Sequence, residues 1–348
     1  MKPLLSIVIP TRNRSTELQF ALKSAIEIQT RIDTEIVIAS NGDSLEGDLE
    51  GISPLLIKKT RVVRNEKRLS LAQNWKFGLH FSAGIWLYFL GDDDYLIPEK
   101  GVDLRTLLTK TETNGIKFKI AHFNWSNNIP GDFVTPPPTT SLEVRTEVVP
   151  QQLSQEWWSI SPHKFPTGTA HSLIKRDWLL KRGEDSIFNS ISPDWYTGSL
   201  FALSESAYTS VDAYWAAIGN HPSSSIARMK EPNHSQSRVE NQLAKQDGNL
   251  ELRDLYQGVF PTTWLARTDA LVQARATLLG SNDIELRRIV KESYKTTPKY
   301  VIKVYQVQSK KVPSLGRKHK LWFTYYFFKS IVQKLNRAVK DFRANPLS

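Results

Sequence analysis

Along residues 1–100, short apolar runs alternate with segments whose apolar residues recur every three or four positions, the pattern of strand and helix units that assemble a parallel sheet. Residues 4–9 predict a buried first strand ended by Pro10, and Thr11-Arg12-Asn13-Arg14 follows as a loop. Ser15 or Thr16 is placed to cap a helix carrying Leu18, Ala21, Leu22, Ala25 and Ile26 along one face. Residues 35–39 predict a second strand that ends in the turn-rich run Ser40-Asn41-Gly42-Asp43-Ser44, and 61–64 a short third. Residues 70–82 read as a helix with Leu71, Asn74, Trp75, Gly78 and Leu79 on one side, and the unbroken apolar run 85–90 as a central fourth strand.

Further along, 104–108 predicts helix, 119–125 strand, 130–140 an irregular loop around Pro136-Pro137-Pro138, and 142–149 strand-like sequence. A strand at 168–174 leads into a helix start at 176–179, and Ser192-Pro193-Asp194-Trp195-Tyr196 opens a helix running through Leu203. Residues 208–215 read as a strand pair or an edge. Polar helical sequence then runs from about 235 to 294, and the chain ends in a segment mixing Trp, Tyr and Phe with Lys and Arg.

The strongest chemical signal is Asp92-Asp93-Asp94, directly after the fourth strand. Three adjacent like charges at a strand end repel one another, and clustered carboxylate oxygens are the ligands Mg²⁺ or Mn²⁺ prefer, with phosphate completing the shell. The position agrees with the chemistry, because ligands of open α/β sheets bind at the carboxyl ends of the strands.

Composition narrows the classes. With no cysteine in 348 residues, disulfide frameworks, zinc–thiolate sites and cysteine nucleophiles are excluded. The formal net charge of +11 is concentrated in residues 295–348, which hold 13 Lys/Arg against the single acid Asp341; the remainder nets −1. No nucleic-acid partner is therefore expected for the main body. No window approaches the roughly 18–20 apolar residues of a membrane span. No Gly-x-x-x-x-Gly-Lys-Ser/Thr run occurs, so a P-loop is not supported.

Four ordered elements carry a resemblance. Ser6 to Arg14, Ile36 to Ser44, Leu69 to Asn74 with Gly78 and Gly84 leading to Asp92-Asp93-Asp94, and Asp194 about a hundred residues on together resemble the family 2 glycosyltransferases, which have the GT-A fold. The resemblance implies an α/β, Rossmann-like, mostly parallel sheet flanked by helices over 1–230, a helical extension at 231–300 and a basic aromatic tail at 301–348. It implies an inverting, metal-dependent transfer of sugar from a nucleotide-sugar donor, UDP type foremost, to a glycan or lipid-linked hydroxyl. Nucleotide-sugar contacts would come from Pro10, Thr11, Arg12, Arg14, Asn41, Asp43, Leu71, Asn74, Asp92 and Asp93; Mn²⁺ or Mg²⁺ would sit on Asp92 and Asp94, and Asp194 would act as general base. Two departures stand out. Asn41-Gly42-Asp43-Ser44 replaces paired acids followed by Gly-Ser, leaving Asn41 or Asp43 to meet the base, and Pro193 precedes Asp194 where the family often has Glu.

Other assignments stay open. The Asp92-Asp93-Asp94 triplet and Asp194 each have plain structural readings, as an acid-rich turn without a ligand and as the N-terminal cap of a helix. His171 and His221 are candidate metal or phosphate contacts, or structural. Trp157-Trp158 and Trp195-Tyr196 form an acceptor platform or core. The tail suits the surface of an anionic membrane, which would put the protein in the cytoplasm or at the inner face of the cytoplasmic membrane, or else it docks on the protein itself. The alternatives to transfer are a sugar nucleotidyltransferase and a non-catalytic carbohydrate-binding protein of the same fold.

Overall fold

The computed structural model describes residues 2–67, 69–97, 102–126, 129–130, 143–151, 164–184, 187–188, 190, 192–220 and six helical residues between 270 and 278. The first half is built from β1 (Leu5–Thr11), α1 (Ser15–Gln29), β2 (Thr34–Ser40), α2 (Leu45–Leu49), α3 (Pro54–Ile57), β3 (Arg61–Arg64), α4 (Leu71–His80) and β4 (Trp86–Phe89). There follow β5 (Tyr95–Leu96), α5 (Leu104–Lys110), β6 (Gly115–Ser126), β7 (Ile129–Pro130), β8 (Val144–Val148), β9 (Ser172–Lys175), α6 (Arg176–Leu180), α7 (Pro193–Ser204) and β10 (Ala207–Asn220). The strands lie in the order β3-β2-β1-β4-β9-β6-β10-β5, with β7 on β6 and β8 on β10.

The strands β3, β2, β1 and β4 are mutually parallel, and β10 runs parallel to β6. Antiparallel pairing of β9 with both β4 and β6 joins the two halves. The chain leaves β1 toward β2 and β3 and then returns to place β4 on β1's other side. The carboxyl ends of β1 and β4 therefore flank the switch-point crevice where ligands of such sheets bind.

Alternation along the strands explains why both faces of this sheet are covered. Leu5, Ile7 and Ile9 of β1, Ile36 and Ile38 of β2, and Trp86 and Tyr88 of β4 face one apolar cluster with α1 and α5. Val8, Val37, Leu87 and Phe89 face the other, with α4 and α7. Each fully buried large side chain contributes about 1.5–3 kcal/mol. Trp75 of α4 stacks on Phe89 at 4.2 Å, which seats this helix directly over β4. Ser70 caps α4 by accepting from the Gln73 amide while the Gln73 side chain accepts from the Ser70 amide.

Two expectations change. Residues 208–215 form neither a strand pair nor a sheet edge: β10 is one 14-residue strand with β6 on one side and β8 and β5 on the other, bent by irregularities near Tyr214. The strand expected at 168–174 begins only at Ser172, because Gly168 and Ala170 have positive φ (76° and 55°) and make a turn. Of the 231–300 segment, Ala270, Leu271 and Ala274 are buried in the α4/α7 cluster, and Thr277 bonds the Tyr196 hydroxyl at 2.9 Å. The tail at 301–348, His221 and Trp157-Trp158 lie outside the described residues. Among the described residues no helix is long and apolar enough to cross a membrane.

Candidate active site

The acidic triplet occupies the turn between β4 and β5, at the crevice. Thr11, the last residue of β1, donates its hydroxyl to Asp92 Oδ2 at 2.9 Å. Arg14, three residues on, places Nη1 2.9 Å from Asp92 Oδ1 and 3.1 Å from Asp93 Oδ2. The two loops thus meet through one hydroxyl, one guanidinium and two carboxylates.

Charge is unevenly matched here. Burial works against the Arg14 charge, but Asp92 and Asp93 outweigh it and hold the guanidinium protonated. Burial, then the neighbouring Asp92, lifts Asp93 to about 6 despite Arg14. Asp94 is pushed well above the usual carboxylate range by burial and then by Asp93. Three adjacent carboxylates therefore share one guanidinium, which contacts two of them, and a further cation would relieve the cluster.

Asp94 is also tied to β10. Its Oδ1 accepts the Gly219 amide of β10 at 3.0 Å, and the Gly91 amide also stabilises its carboxylate. Asp92 and Asp93 are the pair that share Arg14. Among the described residues no three metal-capable side chains converge. Two hard oxygen donors at the mouth of a crevice fit the way Mg²⁺ is usually held, by one or two carboxylates with water and substrate phosphate.

The second loop is organised by a residue that the sequence pattern did not single out. Asp48, wholly buried in α2, accepts from the Asn13 amide (2.5 Å), the Ser40 hydroxyl (2.7 Å) and the Gly42 amide (2.8 Å). One carboxylate thereby ties the loop after β1 to the loop after β2. Asn13, at φ 53°, completes the tie by donating to Asp43 Oδ2 at 3.0 Å and accepting the Asp43 amide at 3.0 Å. Arg64, at the end of β3, donates to the Asp43 carbonyl at 2.9 Å.

Gly42 has no room for a side chain: a Cβ would lie 2.3 Å from Asp48 Oδ1 and 2.6 Å from Asn13 Oδ1. Gly42→Ala is expected to destabilise the protein by about 1–3 kcal/mol, seen as a lower urea midpoint with unchanged slope. An unchanged midpoint would show that the Asp48 tie contributes nothing.

The remaining expected contacts separate clearly. The Asn41 amide is engaged twice by the Leu69 backbone, donating to its carbonyl and accepting its amide, both at 2.8 Å. Asp43 is thus the residue of the two with an exposed carboxylate. Asn74 is 3% exposed and donates to the Ala39 carbonyl at 3.0 Å, which fastens α4 to β2, while its Oδ1 is buried without a hydrogen-bond partner among the described residues. Leu71 lies 51% exposed at the start of α4. Pro10 and Arg12 are half-buried, Pro10 in the last turns of β1 pairing opposite Ala39 and Arg12 in the loop beyond. His171 is buried in the turn beside the carboxyl end of β4.

Asp194 is half-buried in the first turn of α7, after Pro193. Ring contacts lead from Phe89 at the end of β4 to Phe188 (5.6 Å) and on to Tyr196 (6.2 Å). The start of α7 therefore lies near the acidic turn, on the α4 side of the sheet. Tyr196 is fully buried and belongs to the core, not to an acceptor platform, and burial lifts its hydroxyl to about 12.

A mixed, mostly parallel sheet with an acidic turn at its switch point is an α/β architecture whose ligands bind at that crevice. Residues 6–146 match the model of Glycosyl transferase family 2. An uncharacterized glycosyltransferase of Haemophilus influenzae is 33% identical over 97 residues, 28% of this chain and 32% of that protein. Chondroitin synthase of Pasteurella multocida is 33% identical over 98 residues, 28% of this chain and 10% of that protein. The match thus spans about a third or less of these relatives' length. A crystal structure of S. aureus TarS 1–349 is similar at 15% identity and a TM-score of 0.44, covering 89% of this chain and 91% of that one.

Proposed function

We propose that this chain is a glycosyltransferase that moves a sugar from a nucleotide-sugar donor to a hydroxyl of a glycan or lipid-linked acceptor, with inversion at the anomeric carbon. The observation that carries this reading is the meeting of Thr11 and Arg14 with Asp92 and Asp93 at the switch-point crevice, inside the segment that matches family 2.

In this reading the loop after β2, held by Asp48, presents Asp43 toward the base. Carboxylates of the Asp92-Asp93-Asp94 turn would hold Mn²⁺ or Mg²⁺, which would supply positive charge to offset that of the diphosphate. Thr11 fixes the Asp92 carboxylate, and Arg14 lies where its guanidinium meets diphosphate oxygens. Asp194 takes the proton of the acceptor hydroxyl as that oxygen bonds to the anomeric carbon. The bond from the anomeric carbon to the diphosphate oxygen breaks, and its electron pair leaves with the nucleoside diphosphate.

A thermal melt of the full chain against UDP, GDP, CDP and dTDP, each with and without Mn²⁺, tests donor binding. At 100 times its Kd a ligand stabilises by about 2.7 kcal/mol, so one nucleotide is expected to raise Tm by several degrees only when metal is present. A melt unmoved by every pair would contradict the reading.

A further inference from the structure

Beyond the residues that face the crevice, the acidic turn is held from its other side by the end of β6 and β10. Trp125 of β6 donates its indole N–H to the Asp93 carbonyl at 2.8 Å. Gly219 of β10 donates its amide to Asp94 Oδ1 at 3.0 Å. The Asp94 amide closes the turn on the Gly91 carbonyl at 3.1 Å, and β5 immediately pairs with β10, Tyr95 opposite Ala217 and Leu96 opposite Ala216.

Position 219 admits only glycine in this arrangement. A Cβ there would sit 2.0 Å from the Asp93 carbonyl oxygen and 2.4 Å from Trp125 Nε1. Any side chain must therefore push the Asp93 backbone by about 1 Å or expel the indole, since non-bonded carbon and oxygen do not approach much inside 3 Å. Asp93 is held at its carbonyl by Trp125 while its carboxylate reaches Arg14, so displacing the first displaces the second.

We propose that Gly219 and Trp125 form a positioning clamp: from the β6–β10 side they set the β4–β5 turn that carries Asp92, Asp93 and Asp94. The inference rests on the proposed function for its consequence, though not for its geometry. A misplacement of about 1 Å costs on the order of a hundredfold in rate where geometry is decisive. The clamp also couples the site to a strand more than 120 residues away in sequence, β10, whose far part pairs with β8.

Two measurements on the full chain test it. The first needs no ligand: hydrogen–deuterium exchange of the peptide covering residues 90–97 in the wild type, Gly219→Ala and Trp125→Phe. Exchange is expected to speed about tenfold or more in that peptide, with β1 and β2 unchanged, because only the turn's ties are lost. Unaltered exchange at 90–97 in both variants, or equal acceleration throughout the sheet, overturns the clamp.

The second measurement titrates Mn²⁺ in the presence of the nucleoside diphosphate that binds best, following both Tm and turnover. Half-saturation by Mn²⁺ is expected to rise about tenfold in Gly219→Ala, with the acceptor KM unmoved. Half-saturation by Mn²⁺ that is unchanged in Gly219→Ala overturns the clamp's part in the site. If the wild type binds no nucleoside diphosphate at all, the proposed function fails, while the exchange result still decides the clamp.

Discussion

Asp93→Asn is expected to lower metal-dependent turnover by about a hundredfold to a thousandfold, the scale on which removing one charge-stabilising group usually acts. The substitution is isosteric and leaves the Asp93 carbonyl on Trp125, so the turn is retained. What changes is charge: Arg14 then faces Asp92 alone, and the turn loses one of the two carboxylates that share Arg14. Mn²⁺-dependent stabilisation by nucleoside diphosphate should fall with turnover, because the same oxygen serves both. Far-UV circular dichroism and Tm without ligand should stay close to wild type. Undiminished turnover in Asp93→Asn would move the site away from this turn.

Asp194→Asn should lower turnover by about a hundredfold to ten-thousandfold, the range of general base contributions, with donor binding intact. The separation of the two effects is the point. Asp194 stands in the first turn of α7, on a different element from the nucleotide loops, so its loss should not move the Mn²⁺-dependent melt. A drop in donor binding equal to the drop in turnover would make Asp194 a structural residue of the α7 terminus. Retained turnover would assign the proton to another group.

How far the sequence disclosed this site depended on whether a residue's role is local. The four strands β1 to β4 of a parallel sheet were legible because buried strands of a two-sided sheet are continuously apolar and the helices between them keep a 3.6-residue period; their spatial order was not. β10 was not, since its partly polar residues, Ser210, Asp212 and Tyr214 among them, resemble those of an edge. Its central place is set by pairing with β6, about 90 residues earlier, which no local pattern records. The acidic triplet was legible as a charge cluster, but the contacts of its turn with Trp125 and Gly219, more than thirty and more than a hundred and twenty residues away, are not recorded in any local pattern. Asp48 sits in a polar stretch, Glu46-Gly47-Asp48, where a carboxylate reads as solvated; burial against three donors from two other elements is a tertiary fact. Asn74 shows the same limit: only the fold reveals that its Nδ2 is committed to the Ala39 carbonyl.

The central claim is that Asp92 and Asp93 support departure of a nucleoside diphosphate from a sugar. Its most direct test is release of nucleoside diphosphate by the full chain from UDP-, GDP-, CDP- and dTDP-sugars with Mn²⁺, alongside Asp93→Asn. The account predicts release from one donor class, dependent on metal and reduced at least about a hundredfold in the variant. Release that is equal in wild type and variant would contradict it, as would intact donors throughout, with a crude glycan and lipid acceptor mixture present.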